Sequence, residues 1–142
     1  HIHDRRQLDD ICVVTPQAEV LMDAFWPGPL TIILPRKAAV PDVVTAGLDT
    51  VAVRMPAHPV ALALLKACNL PVAAPSANRS GKPSPTSAQH VFTDMDGRIP
   101  LILDGGESDV GLESTVISLV GDKPCILRPG GVTQAMLPEG AE

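Results

Sequence analysis

Aromatic residues are almost missing from this 142-residue chain, which holds two Phe, one Trp and no Tyr. A core must therefore be built from Val, Leu, Ile and Ala, and the several exposed rings of a stacking platform for single-stranded nucleic acid are not there. Cysteine is scarce as well. Cys12, Cys68 and Cys125 are odd in number and far apart, which argues against both a disulfide framework and a zinc knuckle. They are expected to be reduced and buried, as in a cytoplasmic protein. No apolar run approaches the roughly 20 residues of a membrane span, "ALALLKAC" being interrupted by Lys66. The opening "HIHDRRQLDD" is polar and unlike a signal peptide, so no membrane partner is expected. Positive charge is in deficit, with 11 Lys+Arg against 16 Asp+Glu and a net charge of -5. That weighs against a general nucleic-acid binder and leaves room only for a local basic cleft. The Walker pattern and the dinucleotide fingerprint are both absent. Four scattered His residues give no Ser/His/Asp or Cys/His signature, and His1 with His3 are too few for a metal site.

What is present is apolar and regular enough to fold. A hydrophobic fraction of 45% with modest net charge excludes intrinsic disorder, and the length suits one globular unit. "TPQAEVLMDAF" predicts a helix over 15–25, with Thr15 as N-cap and Pro16 at the first helical position. "LTIIL", Leu30 to Leu34, reads as a strand covered on both faces, and Thr50 to Met55 as a second strand lying inside the sheet. His58 to Cys68 reads as a helix with Val60, Leu64, Leu65 and Cys68 inward, ended by Asn69. A short strand is expected at the start of "LPVAAP", a helix over 87–95, and strands at 101–103, 114–119 and 125–127, with a last helical turn in "TQAMLPEGAE". Helices and strands intermix without a repeat, so the fold class is α/β with a twisted mixed sheet and flanking helices. His1 opens the chain with no strand or turn before it, so an N-terminally incomplete domain is expected.

Three places carry groups suited to chemistry. "APSANRSGKPS", Ala74 to Ser84, puts hydroxyls, an amide, a glycine and two cations after an apolar stretch, where Ser76, Asn78 and Ser80 can face phosphate oxygens. A solvated Ser/Pro loop fits the same composition. The "DGGESDVG" loop leads into Ser114 and Thr115, whose hydroxyls can bind a ligand oxygen, although Gly105 and Gly106 also suit a plain tight turn. Arg54 and Arg128 sit in apolar strands and must each reach solvent or find an anion, either a ligand or a structural salt bridge.

In this order these segments resemble the YrdC-like family of threonylcarbamoyl-AMP synthases. "FWPGPLTIIL", "TVAVRMPAHPVALALL", "LPVAAPSANRSGKPSPTSA", "LILDGG", "GLESTVISL" and "ILRPGGVT" carry the resemblance from Phe25 to Thr133. The related hydrogenase-maturation carbamoyltransferases typically read "TSGN" where this chain has "PSAN". The resemblance implies a twisted α/β sheet around a concave nucleotide site. It also implies a reaction in which L-threonine, bicarbonate and ATP, with Mg²⁺, give threonylcarbamoyl-AMP for a downstream tRNA threonylcarbamoyl transferase. Ser76 and Asn78 match the family's phosphate-site Ser-x-Asn pair. Arg54, Ser114 and Arg128 fall in segments lining its cavity, and His1 matches a histidine on the substrate side. Arg54 is the one catalytic candidate. The family's opening strand, its Thr-Asp/Glu-Thr-x-Tyr-Gly segment and its Lys-x-Arg pair would lie before His1, so residues 1–142 are expected to be a single YrdC-like domain lacking its N-terminal portion and a poor catalyst alone. A non-catalytic module of the same fold, holding a nucleotide or double-stranded RNA, is the alternative.

Overall fold

A computed structural model describes residues 1–108 and 113–138. The chain divides into two compact units, His1–Ala73 with Glu113–Glu142, and Ala74–Leu112. The first holds the sheet. Its order is β2 (Thr50–Val53), β1 (Leu30–Pro35), β3 (Thr115–Ser118), β4 (Cys125–Arg128). β1 runs antiparallel to β2 and parallel to β3, and β4 returns antiparallel to β3, so the sheet is mixed as expected.

Helix α1 (Pro16–Phe25) forms where the sequence places it. The Thr15 side chain accepts from the Ala18 N–H, Pro16 opens the first turn without losing a needed donor, and Ala18, Leu21 and Met22 are buried. Along β1, Leu30, Ile32 and Leu34 are fully buried while Thr31 and Ile33 are only partly so. The strand is thus covered fully on one face, not on both. Val51, Val53, Thr115 and Ile117 share that face by register, and with Ile2, Leu8, Leu21, Met22 and Trp26 they form an aliphatic core. A short helix, α2 (Asp42–Thr45), and a six-residue 3-10 helix at Arg5–Asp10 also form.

Helix α3 (Pro59–Cys68) has the expected span and ends on Asn69 in the left-handed region, φ 50°. Its facing differs, for only Leu65 is buried and Val60, Leu64 and Cys68 are exposed. A segment as uniformly apolar as "VALALL" has no periodicity to choose a face. No strand forms at 70–75 or 101–103. The Val72 N–H instead donates to the His1 carbonyl (2.9 Å), and the His1 nitrogen to the Val72 carbonyl (2.8 Å). All three cysteines are free, but only Cys12 is buried, while Cys68 and Cys125 are exposed. The last helical turn spans Gln134–Met136. Asp109 to Leu112 of the glycine-rich loop, and 139–142, lie outside the described residues.

β3 is tied to the following chain by a side chain. Fully buried Thr115 donates through Oγ1 to the Val132 carbonyl (2.5 Å) and accepts from the Val132 N–H (3.0 Å). Thr115→Val keeps the shape but strands both backbone groups, so it should cost about 2 to 4 kcal/mol. A urea midpoint unchanged from wild type would show the tie to be dispensable.

Candidate functional site

Strand alternation gathers the candidates of the first unit. Thr31 pairs in register with Val116, and Val116 with Arg128, so these positions share the sheet face opposite the core. Arg128 is on that face because of a bulge. Ile117 pairs with Ile126 but Val116 with Arg128, leaving Leu127 as an extra residue. Without it, Arg128 would face Thr115 and the core. Arg54, two residues beyond Ala52, continues the same alternation just past the end of β2. It therefore stands beyond an edge strand and not within the interior of the sheet, and Arg128 likewise ends the opposite edge strand.

A chain of polar contacts runs across this face. Ser114, buried just before β3, lies 2.8 Å from Thr31 through the two hydroxyls. Arg128 donates from Nε and Nη2 to the Ser114 carbonyl (3.1 and 2.8 Å), from Nη2 to Ser114 Oγ (3.0 Å), and from Nη1 to Glu113 Oε2 (2.8 Å). Most of its five N–H donors are thus committed to the segment that carries Ser114. Thr31 and Glu113 are not legible in the sequence as members of this chain, because their partners come from distant strands.

Arg54 differs. Its Nε donates to the Gly28 carbonyl (3.1 Å), and among the described residues it forms no ion pair. Burial lowers its pKa from the ordinary arginine value, and the like charge of Arg128 adds to this. A partly buried guanidinium beside another cation, with no partner for its Nη donors among the described residues, is suited to receive an anion. The Gly28 loop is held in place by its own N–H donating to the Met55 carbonyl (2.9 Å) and by Trp26 Nε1 donating to the Leu30 carbonyl (2.7 Å). His1 reaches this neighbourhood through the backbone, since the Ile2 N–H donates to the Arg54 carbonyl (3.0 Å).

The second unit holds the Ser76–Asn78 loop and helix α4 (Ala88–Met95), capped by Ser87, whose side chain accepts from the His90 N–H. Asn78 binds the Arg79 and Lys82 carbonyls through Nδ2 (3.0 and 2.9 Å). Its Oδ1 accepts from Ser76 Oγ, which also contacts Ser84 Oγ (3.1 Å). The amide therefore shapes the loop from within. The loop follows irregular chain and not the strand expected there. Gly106, with φ 90°, turns the chain after Asp104, whose carboxylate accepts from the Gly106 N–H (2.9 Å), as a tight turn requires.

The mixed sheet and its flanking helices define an α/β protein with a polar, arginine-bearing face opposite its aliphatic core. A family model that covers Sua5, YciO and YrdC, described as "Telomere recombination", matches residues 1–130. The chain belongs to this family. It is 57% identical over 139 residues to a threonylcarbamoyl-AMP synthase of Bacillus subtilis, a match that covers 96% of this chain and 40% of that relative. The structure of Sua5 from P. abyssi complexed with L-threonine superposes with a TM-score of 0.90 at 56% identity, over 93% of this chain and 39% of that one. E. coli YciO follows with a TM-score of 0.80 and 28% identity, over 90% of this chain and 63% of that one. The chain thus spans about two fifths of the length of the B. subtilis and P. abyssi relatives.

Proposed function

We propose that this chain is the core of a threonylcarbamoyl-AMP synthase, which converts L-threonine, bicarbonate and ATP into threonylcarbamoyl-AMP, pyrophosphate and water. The observation that carries the reading is the 56% identity, over 93% of this chain, to the Sua5 whose structure holds L-threonine. The chemistry suits the residues. N-carboxy-threonine attacks the α-phosphorus of ATP in line and pyrophosphate departs, so the protein's work is to orient the partners and stabilise charge, with no covalent intermediate. Arg54 offers a planar fork to threonine's carboxylate or to a phosphate oxygen. Arg128 holds Ser114 so that its hydroxyl meets substrate in one orientation, and His1, whose neighbour Ile2 is bonded to the Arg54 carbonyl, serves the substrate side. The Ser76–Asn78 loop takes the phosphates. Mg²⁺ arrives with ATP as part of the substrate and offsets phosphate charge. The product is reactive and passes to a tRNA threonylcarbamoyl transferase. The three free thiols suit a cytoplasmic setting, and among the described residues no helix is long and apolar enough to cross a membrane.

Asn78→Ala removes both carbonyl ties and the Ser76 contact, so ATP should bind about 1 to 3 kcal/mol more weakly in the full-length protein. Unchanged affinity in calorimetry would sink the phosphate-loop assignment. ATP–pyrophosphate exchange that depends on both threonine and bicarbonate tests the activity itself. Nucleotide or double-stranded RNA binding without exchange would indicate a binding module of the same fold.

A further inference from the structure

Asp94 lies one residue from the end of α4 and its carboxylate is 12% exposed. A negative charge in the last turn opposes the helix dipole, and a shielded one needs a partner. It has two. Oδ1 accepts from Lys82 Nζ (2.9 Å) and Oδ2 from the Arg79 N–H (3.3 Å). These are the two residues whose carbonyls Asn78 holds from the other side, and the Lys82 N–H closes the same turn on the Arg79 carbonyl (3.0 Å). Arg79 and Lys82 are thereby gripped twice, by an amide within the loop and by a carboxylate from the helix.

We infer that Asp94 is a positioning residue for the nucleotide: by clamping Arg79 and Lys82 to α4 it fixes the loop on which Ser76 and Asn78 stand. The inference rests on the reading of that loop as the phosphate site. It also assigns Lys82 to the clamp, leaving Arg79 as the loop's cation for ligand. The Lys82 bond, and secondarily the Arg79 N–H, hold the Asp94 carboxyl below the usual carboxylate range, so the clamp stays ionised at neutral pH.

Asp94→Asn keeps the shape and an acceptor for the Arg79 N–H but loses the ion pair, and Lys82→Met loses the same pair from the other end. In the full-length protein each should raise KM for ATP about tenfold, because loss of preorganisation acts on the ligand the loop holds. KM for L-threonine should stay within about twofold. The double variant should be no worse than either single one, since one clamp can be broken only once. Asp94→Glu, which retains the carboxylate, should recover part of the loss. The inference is overturned if ATP KM does not change in Asp94→Asn, or falls because freed Lys82 binds phosphate. It is overturned equally if the two single effects add, or if both KM values rise together with a lowered melting temperature, the mark of a merely structural residue. Asn78→Ala separates the two levels. No effect there removes the phosphate-loop reading and this inference together, whereas an effect there without one in Asp94→Asn removes this inference alone.

Discussion

Arg54→Lys in the full-length protein should lower kcat/KM by about 10²- to 10³-fold while the melting temperature changes by only a few degrees. The size follows from the donors that no described residue occupies. Nε is used on Gly28, the described residues supply no carboxylate, and burial with the nearby charge of Arg128 already disfavours the cation. The folded chain therefore tolerates an electrostatic cost that an anionic ligand would relieve. Lysine keeps the charge but not the planar fork, and the three donors of one tetrahedral nitrogen cannot present the parallel pair of N–H groups that a bidentate ligand takes. A loss of about 3 to 4 kcal/mol of transition-state stabilisation corresponds to the stated factor. A variant that unfolds would show that the tie to Gly28 is what the residue is for. Wild-type kinetics would dismiss both roles.

A large loss of stability is expected for Gly130→Ala. A Cβ there would overlap the Glu113 carbonyl oxygen, the Ser114 carbonyl carbon and the Thr115 nitrogen, all of them backbone. None is the far end of a flexible side chain, so the two segments must separate, at a cost of about 2 to 4 kcal/mol. Those segments also carry Ser114 and Arg128, so ligand binding should weaken along with stability. Gly121→Ala is the control, since its nearest neighbour is the Lys123 carbonyl oxygen at 4.0 Å. Chemical denaturation of both variants checks the difference, and equal midpoints would refute the close approach.

Much of this architecture is legible in the order of residues. Thr15 followed by Pro16, Ser87 before Ala88 and Asn69 after Cys68 mark helix ends because capping is a local matter of one side chain and a few backbone donors. β1 to β3 announce themselves through runs rich in β-branched residues, and β4 through the apolar "CIL". The failures have one origin. An inward Val60, Leu64 and Cys68, a strand at 101–103 and an Arg54 within the sheet all depend on what another part of the chain covers, and local pattern does not carry that.

The ends of α1, α3 and α4, the positions of β1 to β4, the aliphatic make-up of the core and, through "PSANRSG", "ESTV" and "LRPG", the family can be read along the chain. Those are properties of neighbours along the chain. Tertiary contacts commit Arg128 to Ser114 and Glu113, give Arg54 only the Gly28 carbonyl among the described residues, and bring Asp94 back to Arg79 and Lys82. A side chain's free donors are whatever remains after its partners are met, and those partners lie on β-ladders, a bulge and a helix that the linear order does not bring together.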